Sequence, residues 1–145
     1  MNLSPHFTLA ELVASQAATR NGIDNTPAPT AVANLTRVAA VLEQIRALVG
    51  GPITVSSAYR SPALNRAVGG AGNSAHLDGL AADITAPGLT ARALALLIRE
   101  GGVVLDQLIY EGTWVHVGLS AGAPRRQVLT ATFAGGRASY SVGIA

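Results

Sequence analysis

From Ala31 to Val49, apolar residues fall at Val32, Leu35, Val38, Leu42, Ile45 and Leu48. This three-and-four spacing lines one face of an α-helix. A helix of that length with one apolar stripe must lie against something, so the chain has to supply an apolar surface of matching size. Gly50-Gly51-Pro52 stops the helix, and Ile53 to Ser57 is short, β-branched and bounded by breakers, as a strand is. With 145 residues, 49% of them hydrophobic and 12% charged, the chain is far from the composition of disorder and long enough for one core. A single domain over residues 1–145 is expected.

Other elements are read around that helix. Thr8 and Glu11 have capping-box spacing before a short helix over about 9–16, and the run NGIDNTPAPT then reads as a loop. Residues 61–68 can form one or two helical turns after Ser61-Pro62, and the glycine-rich stretch Gly69 to Asn73 ends them. Leu80 to Thr85 reads as a strand and Thr90 to Glu100 as an amphipathic helix. The remainder reads as three or four strands, with a hairpin turn at Gly135-Gly136. Helices early and strands late predict an α+β fold, an antiparallel sheet with helices on one side.

Several function classes are disfavoured. All ten basic residues are arginines, and they are scattered apart from Arg125-Arg126, so no nucleic-acid stripe is present. The net charge of +2 is compatible with attraction to an anionic polymer such as a cell wall, and equally with solubility alone. No run approaches the roughly 20 apolar residues of a membrane helix, so no membrane insertion is expected. The N-terminal MNLSPHFTLAEL has neither the basic nor the apolar region of a secretory signal, which predicts synthesis in the cytoplasm. There is no cysteine, so any metal site must use His, Asp or Glu.

Two of the three histidines sit where such a site needs them. His76 lies in the run from Ser74 to Asp83, and His116 in Trp114-Val-His116-Val. Strand alternation puts Asp83 on the face opposite Leu80, Ala82 and Ile84, and His116 on the face opposite Val115, Val117 and Leu119. If the two strands are neighbours, Asp83 and His116 converge, with His76 reaching in from the preceding loop. Two histidines and one carboxylate are the donor set of a catalytic zinc with an open fourth position. A lone histidine on a strand is ordinarily a satisfied polar residue, and spacing alone does not establish adjacency. Asp78 and His6 are read as solvent-facing.

The run Ser74-Ala-His76-Leu-Asp-Gly79-Leu-Ala81-Ala-Asp83 resembles the Ser-x-His-x-x-Gly-x-Ala-x-Asp signature of the zinc D-alanyl-D-alanine carboxypeptidases and L-alanyl-D-glutamate endopeptidases, which include many phage endolysins and share the hedgehog/D,D-peptidase-like fold. Trp114-Val-His116 looks like the family's last ligand segment, and Ser57-Ala-Tyr59-Arg60-Ser61-Pro62 looks like its upstream arginine motif. The resemblance runs from about Ser4 to Leu119. It implies Zn2+ held by His76, Asp83 and His116. Arg60 is implied to grip a carboxylate or carbonyl of a peptidoglycan stem peptide. Arginine's planar fork suits a carboxylate, although an arginine packed beside Tyr59 is the plainer alternative. Ser74 is placed either to touch substrate or to cap the turn before His76, and Trp114 either to line the cleft or to be partly buried.

One departure concerns the general base, which in the commonest pattern is a Glu three residues before the last histidine. Thr113 stands there, so the role passes to Glu111, with Asp106 as second candidate and its own alternative of orienting a ligand histidine. The resemblance implies zinc-assisted hydrolysis of a stem peptide by a monomer, either as carboxypeptidase or as endopeptidase. The setting it implies is a phage lysin acting on the periplasmic wall or in a virion tail. A non-catalytic zinc domain that binds wall, or a tail structural component, is the alternative from another class.

Overall fold

The computed structural model describes residues 1–145. The long apolar stripe forms α3 (Pro29–Val49), with proline in its first turn and Gly50 in the left-handed conformation closing its end. Before it come α1 (Leu9–Val13) and α2 (Gln16–Asn21). The Thr8 hydroxyl caps α1 by accepting the Glu11 N–H, as expected. The single helix expected over 9–16 is instead broken: Ala14 is extended, and Ser15 caps a second helix through the Ala18 N–H. That second helix also takes up the first residue of the expected loop.

Six strands form one sheet in the order β1-β2-β4-β3-β5-β6. They are β1 (Thr54–Ser57), β2 (Ala81–Thr85), β3 (Gln107–Tyr110), β4 (Val115–Gly118), β5 (Gln127–Ala134) and β6 (Arg137–Val142). Between β1 and β2 lie α4 (Pro62–Ala67), capped by Ser61, and a 3-10 turn over Ala75–Asp78; α5 (Ala91–Glu100) joins β2 to β3. The fold is α+β as expected, but the sheet is mixed. β3 and β5 run parallel, because the chain leaving β4 crosses back and enters β5 in the direction of β3. Gly135 and Gly136, both at positive φ, make the turn of the β5–β6 hairpin where one was expected.

Alternation along the strands decides which side does what. Ala82, Ile84, Leu108, Val115 and Val117 share one face and form a single core with Leu35, Val38, Leu42 and Ile45 of α3 and Leu94 and Ile98 of α5. The opposite face of the central strands carries Asp83 and His116, directly paired across β2 and β4. A bulge at Ser56 lets β1 resume register with Ser57 opposite Asp83.

Candidate metal centre and cleft

The turn that delivers His76 is built by its neighbours. Ser74 caps it, its hydroxyl accepting the His76 N–H at 3.2 Å. Gly79 closes it in the left-handed conformation (φ 71°). A β-carbon at Gly79 would stand 2.7 Å from the Ala31 carbonyl oxygen, so glycine is needed for conformation and for the close approach of α3.

The His76 ring donates its Nδ1–H to the Ala58 carbonyl at 2.6 Å. A carbonyl only accepts, so the proton of the neutral ring sits on Nδ1 and the lone pair on Nε2 points inward. Nε2 lies 3.3 Å from Asp83 Oδ1, and His116 Nδ1 lies 3.1 Å from the same oxygen. The three donor atoms all fall within 4.8 Å of one another. Tetrahedral ligands at zinc bond lengths stand roughly 3.3 Å apart, so this spacing is that of a ligand set, and the two buried acceptor atoms of His76 and Asp83 face each other as they do across a cation. The donor set can hold a metal ion. Burial pushes the Asp83 carboxyl up, but the His116 hydrogen bond and the imidazoles flanking it outweigh this and hold it well below the usual carboxylate range.

Beside the cluster, the β3–β4 turn returns Glu111 toward the sheet face. Its N–H donates to the Trp114 carbonyl, Gly112 takes positive φ, and the Trp114 indole N–H donates to Glu111 Oε2 at 3.1 Å. Burial raises the Glu111 carboxyl above its ordinary value and the negative charge of Asp83 adds to this; His116, the indole bond and Arg60 partly oppose them. A cleft of about 990 Å³ opens over Asp83 and Arg60, with Ser57, Leu64, Ser15 and Arg20 among its walls. Arg60 donates to the Ser74 hydroxyl at 3.2 Å, while its Nε–H is buried without a partner.

Residues 5–118 match the family model described as Peptidase M15. This chain belongs to the peptidase M15 family. Membership supports a metallopeptidase, and the His76, Asp83 and His116 group is compatible with the family's dependence on zinc. No curated protein sequence matches the chain. The segment matched to Peptidase M15 ends on the last residue of β4, so the β5–β6 hairpin lies beyond it.

Within this M15 peptidase, seven of the eight residues singled out from sequence lie at or around the cluster: His76, Asp83, His116, Glu111, Arg60, Ser74 and Trp114. Asp106 does not. It sits at the far end of β3 from Glu111, roughly 16 Å along the strand. Its carboxylate is occupied by Arg125, which donates from its guanidinium (2.7 Å) and from its backbone N–H (2.9 Å). Those bonds hold the Asp106 carboxyl below its usual range. Asp106 therefore serves to tie the β5 approach to the sheet and is not available as a base. His6 pairs with Glu43 at 2.7 Å, away from the site, and Asp78 is exposed. The Ala58 carbonyl could not be foreseen, because a main-chain atom carries no residue signature.

Proposed function

We propose that this chain hydrolyses amide bonds in peptidoglycan stem peptides, with zinc held by His76 Nε2, Asp83 and His116 Nδ1. The observation that carries this reading is the meeting of that donor triad with a half-buried carboxylate of raised pKa and a cleft arginine. Bound there, zinc supplies Lewis acidity for the scissile carbonyl and lets water ionise near neutral pH. Glu111 accepts the proton of the attacking water and returns it to the leaving amine. In the metal-free protein burial raises its carboxyl, which favours taking the proton up. The Trp114 indole fixes one carboxylate oxygen and leaves the other free. Arg60, braced by Ser74, binds a carboxylate of the peptide with its guanidinium. The signature resemblance supports the wall peptide as substrate and a phage lysin as the setting.

Mass spectrometry of purified muropeptides incubated with zinc-loaded protein, beside a His116→Ala control, tests the reading. Loss of one terminal alanine identifies a carboxypeptidase, and cleavage after the first L-alanine an endopeptidase. No zinc-dependent product from any muropeptide rejects it.

A further inference from the structure

β1 ends at Ser57, and the chain beyond it, Ala58 to Ser61, has no neighbouring strand, yet it carries Arg60. Its backbone polar groups still need partners. On one side the Ala58 carbonyl accepts from His76, and the Arg60 N–H donates to the His76 carbonyl at 3.0 Å. On the other side the Tyr59 N–H donates to the Leu12 carbonyl at 3.0 Å, and the remaining groups are met by one side chain, Asn25. Its amide oxygen accepts the Ser61 N–H at 2.7 Å, and its amide nitrogen donates to the Tyr59 carbonyl at 3.1 Å. Those two groups bracket Arg60 and point the same way, as they do toward a neighbour in a sheet. The planar amide of Asn25 thus takes the place of a peptide group of the missing strand. The same nitrogen donates to the Val13 carbonyl at 2.8 Å, at the end of α1 beside the α1–α2 break that walls the cleft. Asn25 is itself presented by a turn in which Asp24 accepts the Thr26 N–H and hydroxyl.

We propose that Asn25 is a positioning residue for Arg60: its amide pins the Tyr59–Ser61 backbone to the cleft wall, so that the guanidinium is held ready for a substrate carboxylate. The Asn amide carries donor and acceptor on one plane, and Gln is one methylene too long for both contacts at once. The inference rests on the reading of Arg60 as the carboxylate-binding residue.

A double-mutant cycle tests it, using zinc-loaded protein, a stem peptide it cleaves, and the same peptide with the carboxylate beside the scissile bond amidated. Arg60→Ala is expected to abolish the preference for the free carboxylate. Asn25→Ala is expected to reduce that preference about tenfold, chiefly through KM, with zinc content unchanged; added to Arg60→Ala it should change kcat/KM less than about twofold. A normal Arg60→Ala effect with full additivity overturns the inference alone, since Asn25 then acts only on general stability. An unaltered preference in Arg60→Ala overturns the reading of Arg60 and this inference with it. Should Asn25→Ala fail to fold, Asn25→Asp, which keeps the acceptor for Ser61 and loses both donor contacts, goes through the same cycle with the same two outcomes.

Discussion

β4 and β6 belong to one sheet, yet all four residues of β4 are buried and all six of β6 are exposed. Composition does not explain the difference, since β4 carries a histidine and β6 a tyrosine and a valine. Position does. β4 has a paired strand on each side, α5 against one face and the His76 ring against His116 on the other, whereas β6 pairs only with β5. A polar side chain in β4 must be satisfied from within the protein, and Asp83 and His116 satisfy each other. The candidate metal ligands are therefore concentrated at the buried centre of the sheet, and the outer hairpin carries apolar side chains such as Tyr140 and Val142 in the open.

The largest effect should come from the centre. His116→Ala is expected to lose bound metal and reduce muropeptide turnover to the level of chelated wild type; turnover above that level breaks the proposed triad. Next comes Glu111→Gln, with metal content retained and kcat lowered about 10²- to 10⁴-fold. Because Glu111 acts in its ionised form, kcat/KM should fall as pH drops through its folded value, and that acidic limb should vanish in Glu111→Gln; a limb that survives the change would remove Glu111 from the role.

Metal removal should lower the melting temperature by about 10 °C when the zinc supplied is about a thousandfold above its dissociation constant. In the metal-free protein the sign for Asp83 is that of a depressed carboxyl. Its contribution is complete above the unfolded value of roughly 3.9 and is lost as pH falls through the lower folded value. Acid unfolding measured for wild type and Asp83→Asn should differ in that acidic window, and superimposed profiles would contradict it. Smaller again, Ile84→Ala in the core should cost about 2–5 kcal/mol in denaturant unfolding. Val142→Ala, on the exposed strand, should stay within about 0.5 kcal/mol. Equal costs at the two positions would mean that the hairpin is packed against something.

Much of the central region was legible because its signals are local. The period of α3, the cap at Thr8, the helical turns after Ser61-Pro62, and the alternation that put Asp83 and His116 on one face all depend on residues close in sequence. What escaped depends on distant partners. The break at Ala14 exists because α1 and α2 dock separately, and nothing in the 9–16 run forbids a continuous helix. The parallel pairing of β3 with β5 is set by how the chain crosses after β4, which no strand pattern encodes. Asp106 and Glu111 look equivalent as acids upstream of His116; only the opposite ends of β3 and the arginine waiting at one of them tell them apart. Asn25 reads as an ordinary loop residue until Tyr59 and Ser61 are found on either side of it.

The direct pairing of Asp83 with His116 across β2 and β4 has a consequence for how the sheet assembles. Sliding β4 by one residue would bring Val115 or Val117 opposite Asp83 and turn His116 into the apolar layer beneath α5. A misaligned sheet would thus have no donor triad at all. Affinity of the proposed triad for an ion would become a proofreading signal for strand alignment, rewarding only the one arrangement of the two strands that brings the donors together.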